Sequence, residues 1–334
     1  MVSSILLLIN SFSVNATPSN DRKAVAAFRD ALGGGAITTA TAGEEVCVWP
    51  GIVCDPDTLR VTDIVLRADD SPVNQALGNE KLHFSGDWHW TGLISDSLCL
   101  LDQLTTLIVT DWISISGEIP ACITSLTNLR ILDLSGNRIS GEIPADIGKL
   151  SQLIVLNLAD NQISGSMPPS VVDLSSLRLL DLSNNKISGE IPSDIGNMKM
   201  LSRAILGENQ LTGSIPASIA ALSRMADLDL STNQISGSIP EEIGSMPVLS
   251  VLNLYSNQLS GEIPASLFGN KGLSHLNLSR NSLEGNVPDS FSPENYFIVL
   301  DLSYNKLTGE IPKSISSVKY MGALDLSNNE IVEA

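Results

Sequence analysis

Residues 129–144 read LRILDLSGNRISGEIP, and this stretch returns along the chain with a period of 24. Its asparagine recurs at Asn137, Asn161, Asn185, Asn209, Asn233, Asn257, Asn281, Asn305 and Asn329. Its proline keeps the same beat at Pro120, Pro144, Pro168, Pro192, Pro216, Pro240, Pro264, Pro288 and Pro312. Nine asparagines in one register do not arise by chance. A fixed period of this size marks a solenoid, in which each unit buries its apolar face only by stacking on its neighbours.

The unit explains its own spacing. A short strand over about 131–135 alternates its side chains, so Leu132 and Leu134 point inward while Ile131, Asp133 and Ser135 face out. The chain then turns, leaving inward-facing backbone groups with no water to bond. A buried Asn offers two donors and an acceptor, enough to satisfy such groups in its own coil and the next. The asparagine column is therefore scaffold rather than ligand contact. Strands are expected near 64, 107, 131, 155, 179, 203, 227, 251, 275, 299 and 323. Eleven strands at about 4.8 Å per step make a sheet roughly 50 Å long. The expected fold is an α/β solenoid with a curved parallel sheet on the concave face and an irregular or 3-10 convex side.

Composition narrows the functions. The 334 residues would fill two or three ordinary domains, but a solenoid grows in one dimension and voids that count. Aromatics are only 4%, which suits a core of stacked aliphatics. The net charge of −18 and a pI near 4.4 argue against nucleic acid as a partner, since that needs a basic face. They also argue against holding an anionic polysaccharide or membrane surface by charge.

Residues 1–16, MVSSILLLINSFSVNA, read as a signal peptide with Val14-Asn15-Ala16 at the cleavage site. Its apolar run falls far short of the ~20 residues that span a bilayer, so no membrane span is expected and the mature chain should be extracellular. Four cysteines in a secreted chain suggest disulfides, and local spacing favours Cys47–Cys54 and Cys99–Cys122. The second pair lies one repeat apart, which places it on adjacent coils. A metal site is not expected, because no Cys-x-x-Cys or close His pair is present.

Residues 17–60 read as a capping module, which the first coil needs to keep its core from water. Ala24, Val25, Phe28 and Leu32 fall at helical spacing, with Asp21 as the expected N-cap. Residues 61–100 hold the first, irregular repeats. A stretch at 67–91 carries His83, Phe84, Trp88, His89 and Trp90; either Phe84, Trp88 and Trp90 cover the edge of the first coils, or the stretch is a projecting loop that contacts a partner. Regular repeats fill 101–334. Trp112 stands where an Asn belongs, and one extra residue follows it before Ile115. After Asn329 no second cysteine cluster appears, so the last coil is expected to lack a cap and to expose an open strand edge: either the chain is a truncated product, a partner covers the end, or the protein is less stable than its relatives.

The unit L-x-x-L-x-x-L-x-L-x-x-N-x-I/L-S/T-G-x-I-P, over about 101–329, resembles the plant-specific class of leucine-rich repeats. Cys47-Val48-Trp49-Pro50-Gly51-Ile52-Val53-Cys54-Asp55 looks like the cap module of that class. Within it the chain is most similar to the secreted DNA-damage-repair/toleration group. That likeness rests on Arg60-Val61-Thr62-Asp63-Ile64, on 119–126 (IPACITSL), on 130–134 (RILDL) and on 273–288. Polygalacturonase-inhibiting proteins and a plant antifreeze protein are similar in architecture and further in sequence. Two features of the group are absent, a Cys shortly before Asp21 and a C-terminal cap with its cysteine pair, so the ends are less braced. The group's name links it to DNA damage, yet a secreted acidic solenoid has no route to DNA.

The resemblance implies recognition on the concave sheet, so the outward strand positions are the candidates. One column runs Asp133, Asn157, Asp181, Ile205, Asp229, Asn253, Asn277, Asp301, Asp325; its neighbour runs Ile131, Val155, Leu179, Arg203, Asp227, Val251, His275, Val299, Ala323. Arg203, Ile205, Gly207 and Glu208 break the pattern together, beside Asp227, Asp229, Val251, Tyr255 and His275. A break in a repeat array is where specificity is written, and Arg favours interface hot spots. The competing reading is a surface ion pair from Arg203 to Asp227 or Asp229. No nucleophile is tied to a histidine, and Asp227 and Asp229 sit on one strand rather than across a cleft, so no catalysis and no cofactor are expected. Asn277-Leu278-Ser279 is a glycosylation sequon. The expected function is a secreted, non-catalytic scaffold for a protein or peptide ligand in plant defence or signalling, and the acidic surface suits a basic one. The alternatives are ice binding and inhibition of a pathogen cell-wall hydrolase.

Overall fold

The structure, a computed structural model, describes residues 17–33, 45–68 and 91–332. The expected signal peptide at 1–16 lies outside the described residues, as do His83, Phe84, Trp88, His89 and Trp90 of the aromatic loop.

Twelve strands form one sheet in simple chain order. They are β1 (Ile52–Cys54), β2 (Val61–Arg67), β3 (Thr106–Thr110), β4 (Ile131–Asp133), β5 (Val155–Asn157), β6 (Leu179–Asp181), β7 (Arg203–Ile205), β8 (Asp227–Asp229), β9 (Val251–Asn253), β10 (His275–Asn277), β11 (Tyr296–Asp301) and β12 (Tyr320–Asp325). Eleven of them are the parallel strands expected from the period. The twelfth, β1, is the exception: it lies antiparallel to β2, with Ile52 opposite Ile64. The cap thus adds a strand that the repeat count misses, because a stapled segment outside the period carries it. Every neighbouring pair from β4 to β10 is in register at a separation of 24, for example Ile131 with Val155 with Leu179.

Inward leucines at each strand are fully buried, among them Leu132, Leu156, Leu180, Leu228, Leu252 and Leu276. Burying a leucine contributes about 1.5–3 kcal/mol, so the stacked column is the main source of cohesion. The asparagine column does what its chemistry requires. Asn161 Nδ2 donates to the carbonyls of Leu134, Leu158 and Ala159 at 2.9, 3.2 and 3.0 Å, and its Oδ1 accepts the Ile139 N–H at 2.9 Å. The pattern repeats coil by coil to Asn329.

Two departures sharpen this picture. Trp112 fills the missing asparagine's place: it is buried, and its Nε1 donates to the Leu66 carbonyl at 3.4 Å. The extra residue after it lets the Ile115 N–H close a turn on the Trp112 carbonyl at 2.9 Å. Asn137 Oδ1, which would otherwise take that N–H, is left without a partner.

The convex side is more ordered than expected. Its S-G-x segments form short parallel strands of their own, such as Ser116–Glu118 on Arg138–Ser140 and Gln258–Glu262 on Ser282–Asn286. Each coil's glycine there takes a positive φ, 77° at Gly141, and a Cβ would meet Glu118 Cγ at 2.7 Å. That double demand fixes glycine. Short 3-10 turns complete the coil, as expected.

The cap helix α1 (Ser19–Ala31) buries Ala24, Val25 and Phe28. It begins two residues before Asp21, with Pro18 at the N-cap position. Asp21 is not a cap; it is wholly buried and accepts from the Val61 N–H at 2.9 Å and from Arg60 Nε at 3.0 Å. It ties helix to sheet. Cys47–Cys54 and Cys99–Cys122 are bonded, with Cα separations of 5.6 and 5.8 Å. At the other end, Leu324 and Val332 are exposed, as is Ile311.

Candidate binding face

The sheet register brings most of the expected residues together. Arg203, Asp227, Val251 and His275 stand in one row across β7–β10, and Ile205, Asp229, Asn253 and Asn277 in the next. Strand neighbours are about 4.8 Å apart, so each row spans roughly 14 Å. Glu208 and Tyr255 are not on the strands. Glu208 lies exposed in the turn beyond β7 with φ 55°, and Tyr255 follows β9 in the place that serine occupies in most coils.

The Asp/Asn column has a job that alternation alone hides. Asp133 Oδ1 accepts the Ser135 N–H and hydroxyl, and the same turn recurs at Asp181, Asp229, Asn253, Asn277, Asp301 and Asp325. Each side chain closes the strand by satisfying the N–H two residues on. One oxygen of each is therefore committed to the scaffold, which leaves outward the second oxygen of an Asp or the amide nitrogen of an Asn. Ile205 is where this turn is given up, and the residue two on is Gly207, whose Cβ would meet Ser231 Oγ at 2.9 Å.

Arg203 pairs with Asp227 at 3.1 Å, not with Asp229. Its side chain remains 57% exposed, so the pair contributes less than ~1 kcal/mol and leaves the guanidinium open to a ligand. Asp229 is held instead by Ser231 and by Asn253 Nδ2 at 2.9 Å. His275 Nδ1 lies 3.0 Å from the Ser274 hydroxyl. Asn277 Oδ1 accepts from the Ser279 hydroxyl at 2.6 Å, which links the two ends of the sequon.

Electrostatics separate the two halves of the face. Burial pushes the Asp181 carboxyl up despite hydrogen bonds from Ser183; Asp160 raises it further and Arg203 lowers it. Asp111 is also raised, again by burial first, with Asp133 and Asp160 adding to it. Exposed Arg130 and Arg178 precede Ile131 and Leu179 by one residue. In the other half, Tyr296 and Tyr320 stack at 4.4 Å between ring centroids beside exposed Ile298. Neither feature is in the two columns read from sequence. The same 24-residue reading applied one and three positions earlier brings out both.

Comparisons with known proteins agree with this architecture. A leucine-rich repeat region model matches residues 119–228, and the single leucine-rich repeat matches 225–246, 248–270, 272–293 and 297–318. Between them they account for more than half of the chain. The DNA damage-repair/toleration protein DRT100 of Arabidopsis thaliana is 51% identical over 124 residues, 36% of this chain and 32% of that protein. The ectodomain of the plant membrane receptor kinase GASSHO1/SCHENGEN3 from Arabidopsis thaliana, in complex with CASPARIAN STRIP INTEGRITY FACTOR 2, superposes with a TM-score of 0.84 at 29% identity. That match covers 93% of this chain and 36% of the ectodomain. The chain thus spans about a third of the length of both. A plant ice-binding protein shares the fold at a TM-score of 0.72 and 24% identity, over 95% of this chain and 98% of that one. Among the described residues no helix is long and apolar enough to cross a membrane.

Proposed function

The chain belongs to the leucine-rich repeat proteins, and from that premise we propose that it is a secreted, non-catalytic scaffold that takes a protein or peptide ligand on its concave face. The observation that carries the reading is the break at Arg203, Ile205 and Gly207. It interrupts the outward columns together, in the middle of a sheet whose other coils keep strict register. Arg203 remains open to a partner, and Ile205 presents an aliphatic side chain where the neighbours present Asp or Asn. The likeness to an ectodomain solved with a bound factor supports a recognition role. An inhibitor of a cell-wall hydrolase would be the same reading with a folded enzyme as the ligand.

The test is retention of a ligand captured from plant extracellular fluid. Arg203→Glu leaves every buried residue in place and should cut retention at least about tenfold, the scale of a hot-spot loss. Unchanged retention by a variant with an unaltered melting curve sinks the placement. Extracellular export also makes Asn277 a glycan acceptor, and its glycan would stand on β10 and bound the site on that side. Digestion with a glycan-releasing amidase should lower the mass of the plant-made protein, and an unchanged mass refutes the assignment.

Ice binding is the second reading, and one feature favours it. Ser116, Ser140, Ser164, Ser188, Thr212, Ser236 and Ser260 form a hydroxyl ladder on the convex strands. Several of those hydroxyls are spent on glycine carbonyls of the preceding coil, as at Ser140 and Ser188. Carboxylates at Glu118, Glu142 and Glu190 interrupt the face two positions on. Thermal hysteresis of the purified protein decides the matter: a value above that of buffer would replace the first reading.

A further inference from the structure

The half of the concave face before Arg203 has a polarity that runs across the strands. In the middle, Ile131, Val155 and Leu179 form a half-buried aliphatic ladder in strict register on β4, β5 and β6. Along one edge stand Asp133 and Asp181, with exposed Asp111, Asp160 and Glu208 in the turns beyond. Along the other edge stand Arg130 and Arg178, both exposed. Half-buried aliphatics in a row gain by being covered the rest of the way, and the two charged edges can each select a partner's opposite charge.

Resting on the concave-face reading, we propose that β4–β7 take an extended, cationic-amphipathic segment of a partner protein. Its aliphatic side chains seat on Ile131, Val155 and Leu179, and its lysines or arginines point to the carboxylate edge. The arginine edge repels the same cations, so the segment is admitted in one orientation about its own axis. Spacing favours an extended backbone. Three residues of a polyproline-II-like segment advance about 9.3 Å. Two strand steps cover about 9.6 Å. Side chains at i and i+3 therefore meet Ile131 and Leu179, with cations at i+1 and i+4 over the acidic edge.

Nature supplies the conservative variant. The carboxylate column carries Asn at Asn157, Asn253 and Asn277, each within the same turn. Asp133→Asn with Asp181→Asn therefore removes two charges and keeps the fold. The probe is a fluorescently labelled peptide of tandem Leu-Lys-Pro units, compared with tandem Leu-Glu-Pro and Ser-Lys-Pro by anisotropy on the full chain. The Leu-Lys-Pro peptide should bind at least about tenfold tighter than either control, the scale of one aliphatic contact. Leu179→Ser and the double Asp→Asn variant should each weaken it about tenfold, and Ile311→Ser, exposed away from the face, should leave it unchanged.

Equal binding of Ser-Lys-Pro means charge alone, and overturns the proposal. Binding that responds to Val251→Ser but not to Leu179→Ser overturns this placement while leaving a concave-face site standing. Binding indifferent to both substitutions removes the concave face altogether. No binding of Leu-Lys-Pro refutes the cationic segment, and the retention experiment with Arg203→Glu then judges the broader reading separately.

Discussion

Replacing Asn185 by alanine probes the ladder within its regular stretch. Asn185 Nδ2 donates to the carbonyls of Leu158, Leu182 and Ser183 at 2.9, 3.2 and 3.1 Å, and its Oδ1 accepts the Ile163 N–H at 2.9 Å. Alanine leaves that N–H and at least two inward carbonyls without the side chain. Only the N–H is left unpaired, since the Leu158 and Leu182 carbonyls keep Asn161 and Asn209. It costs about 1–3 kcal/mol and each lost carbonyl bond about 0.5–1.5 kcal/mol, so a loss of roughly 2–6 kcal/mol is expected. Asn137 supplies the internal control. Its Nδ2 makes the corresponding three bonds, to Val109, Leu134 and Ser135, but its Oδ1 has no partner. Asn137→Ala should therefore leave the corresponding Ile115 amide, which bonds the Trp112 carbonyl, as protected from exchange as before. A solenoid need not unfold in one step, so the sharper assay is native-state hydrogen exchange. The Ile163 amide should exchange roughly five- to 150-fold faster in Asn185→Ala, from the same 1–3 kcal/mol. An Ile163 amide as protected as before in Asn185→Ala, or an Ile115 amide that loses protection in Asn137→Ala, would refute the accounting.

Asp181→Asn keeps the turn to Ser183 and removes a carboxyl whose folded-state pKa is raised by burial and by Asp160. A raised carboxyl binds its proton more tightly in the folded chain, so its penalty is absent below the ordinary value of 3.8 and grows as pH climbs through the raised one. The variant should melt higher than the parent near pH 7 and alike near pH 3, and the reverse order contradicts the sign. Opening the Cys99–Cys122 bond by a double Cys→Ser change removes a cross-link over 23 residues. Denaturant unfolding of the N-terminal coils should then lose about 3 kcal/mol. Asp21→Ala leaves the Val61 N–H unpaired at the helix–sheet joint and takes from Arg60 its buried partner, with only the exposed Asp102 remaining. Melting of the cap should fall by about 3–5 kcal/mol, the cost of breaking one side of a buried pair, and a drop under about 1 kcal/mol would show that Asp21 is dispensable.

The period made the parallel sheet, its register and the buried asparagines legible, because each follows from one residue type repeating at one spacing. What stayed hidden lay outside the period or depended on turns. The antiparallel β1 belongs to a stapled cap, and Asp21 reads as an N-cap by local chemistry although a residue 40 positions away claims it. The outward column was located correctly, but strand alternation does not reveal that Asp133 and Asp181 bend back to their own backbone. The convex strands escaped notice because S-G-x is too short and too glycine-rich to read as strand. The rows containing Arg130, Arg178 and Tyr296 needed only the same clock applied to different positions.

The most direct test is hydroxyl-radical footprinting of the protein with and without a captured ligand. Ile205, Tyr255 and His275 should lose reactivity on binding, while Ile311 and Val48, exposed away from the candidate residues, keep theirs. Protection at the exposed pair with Ile205, Tyr255 and His275 unchanged would contradict a concave-face site.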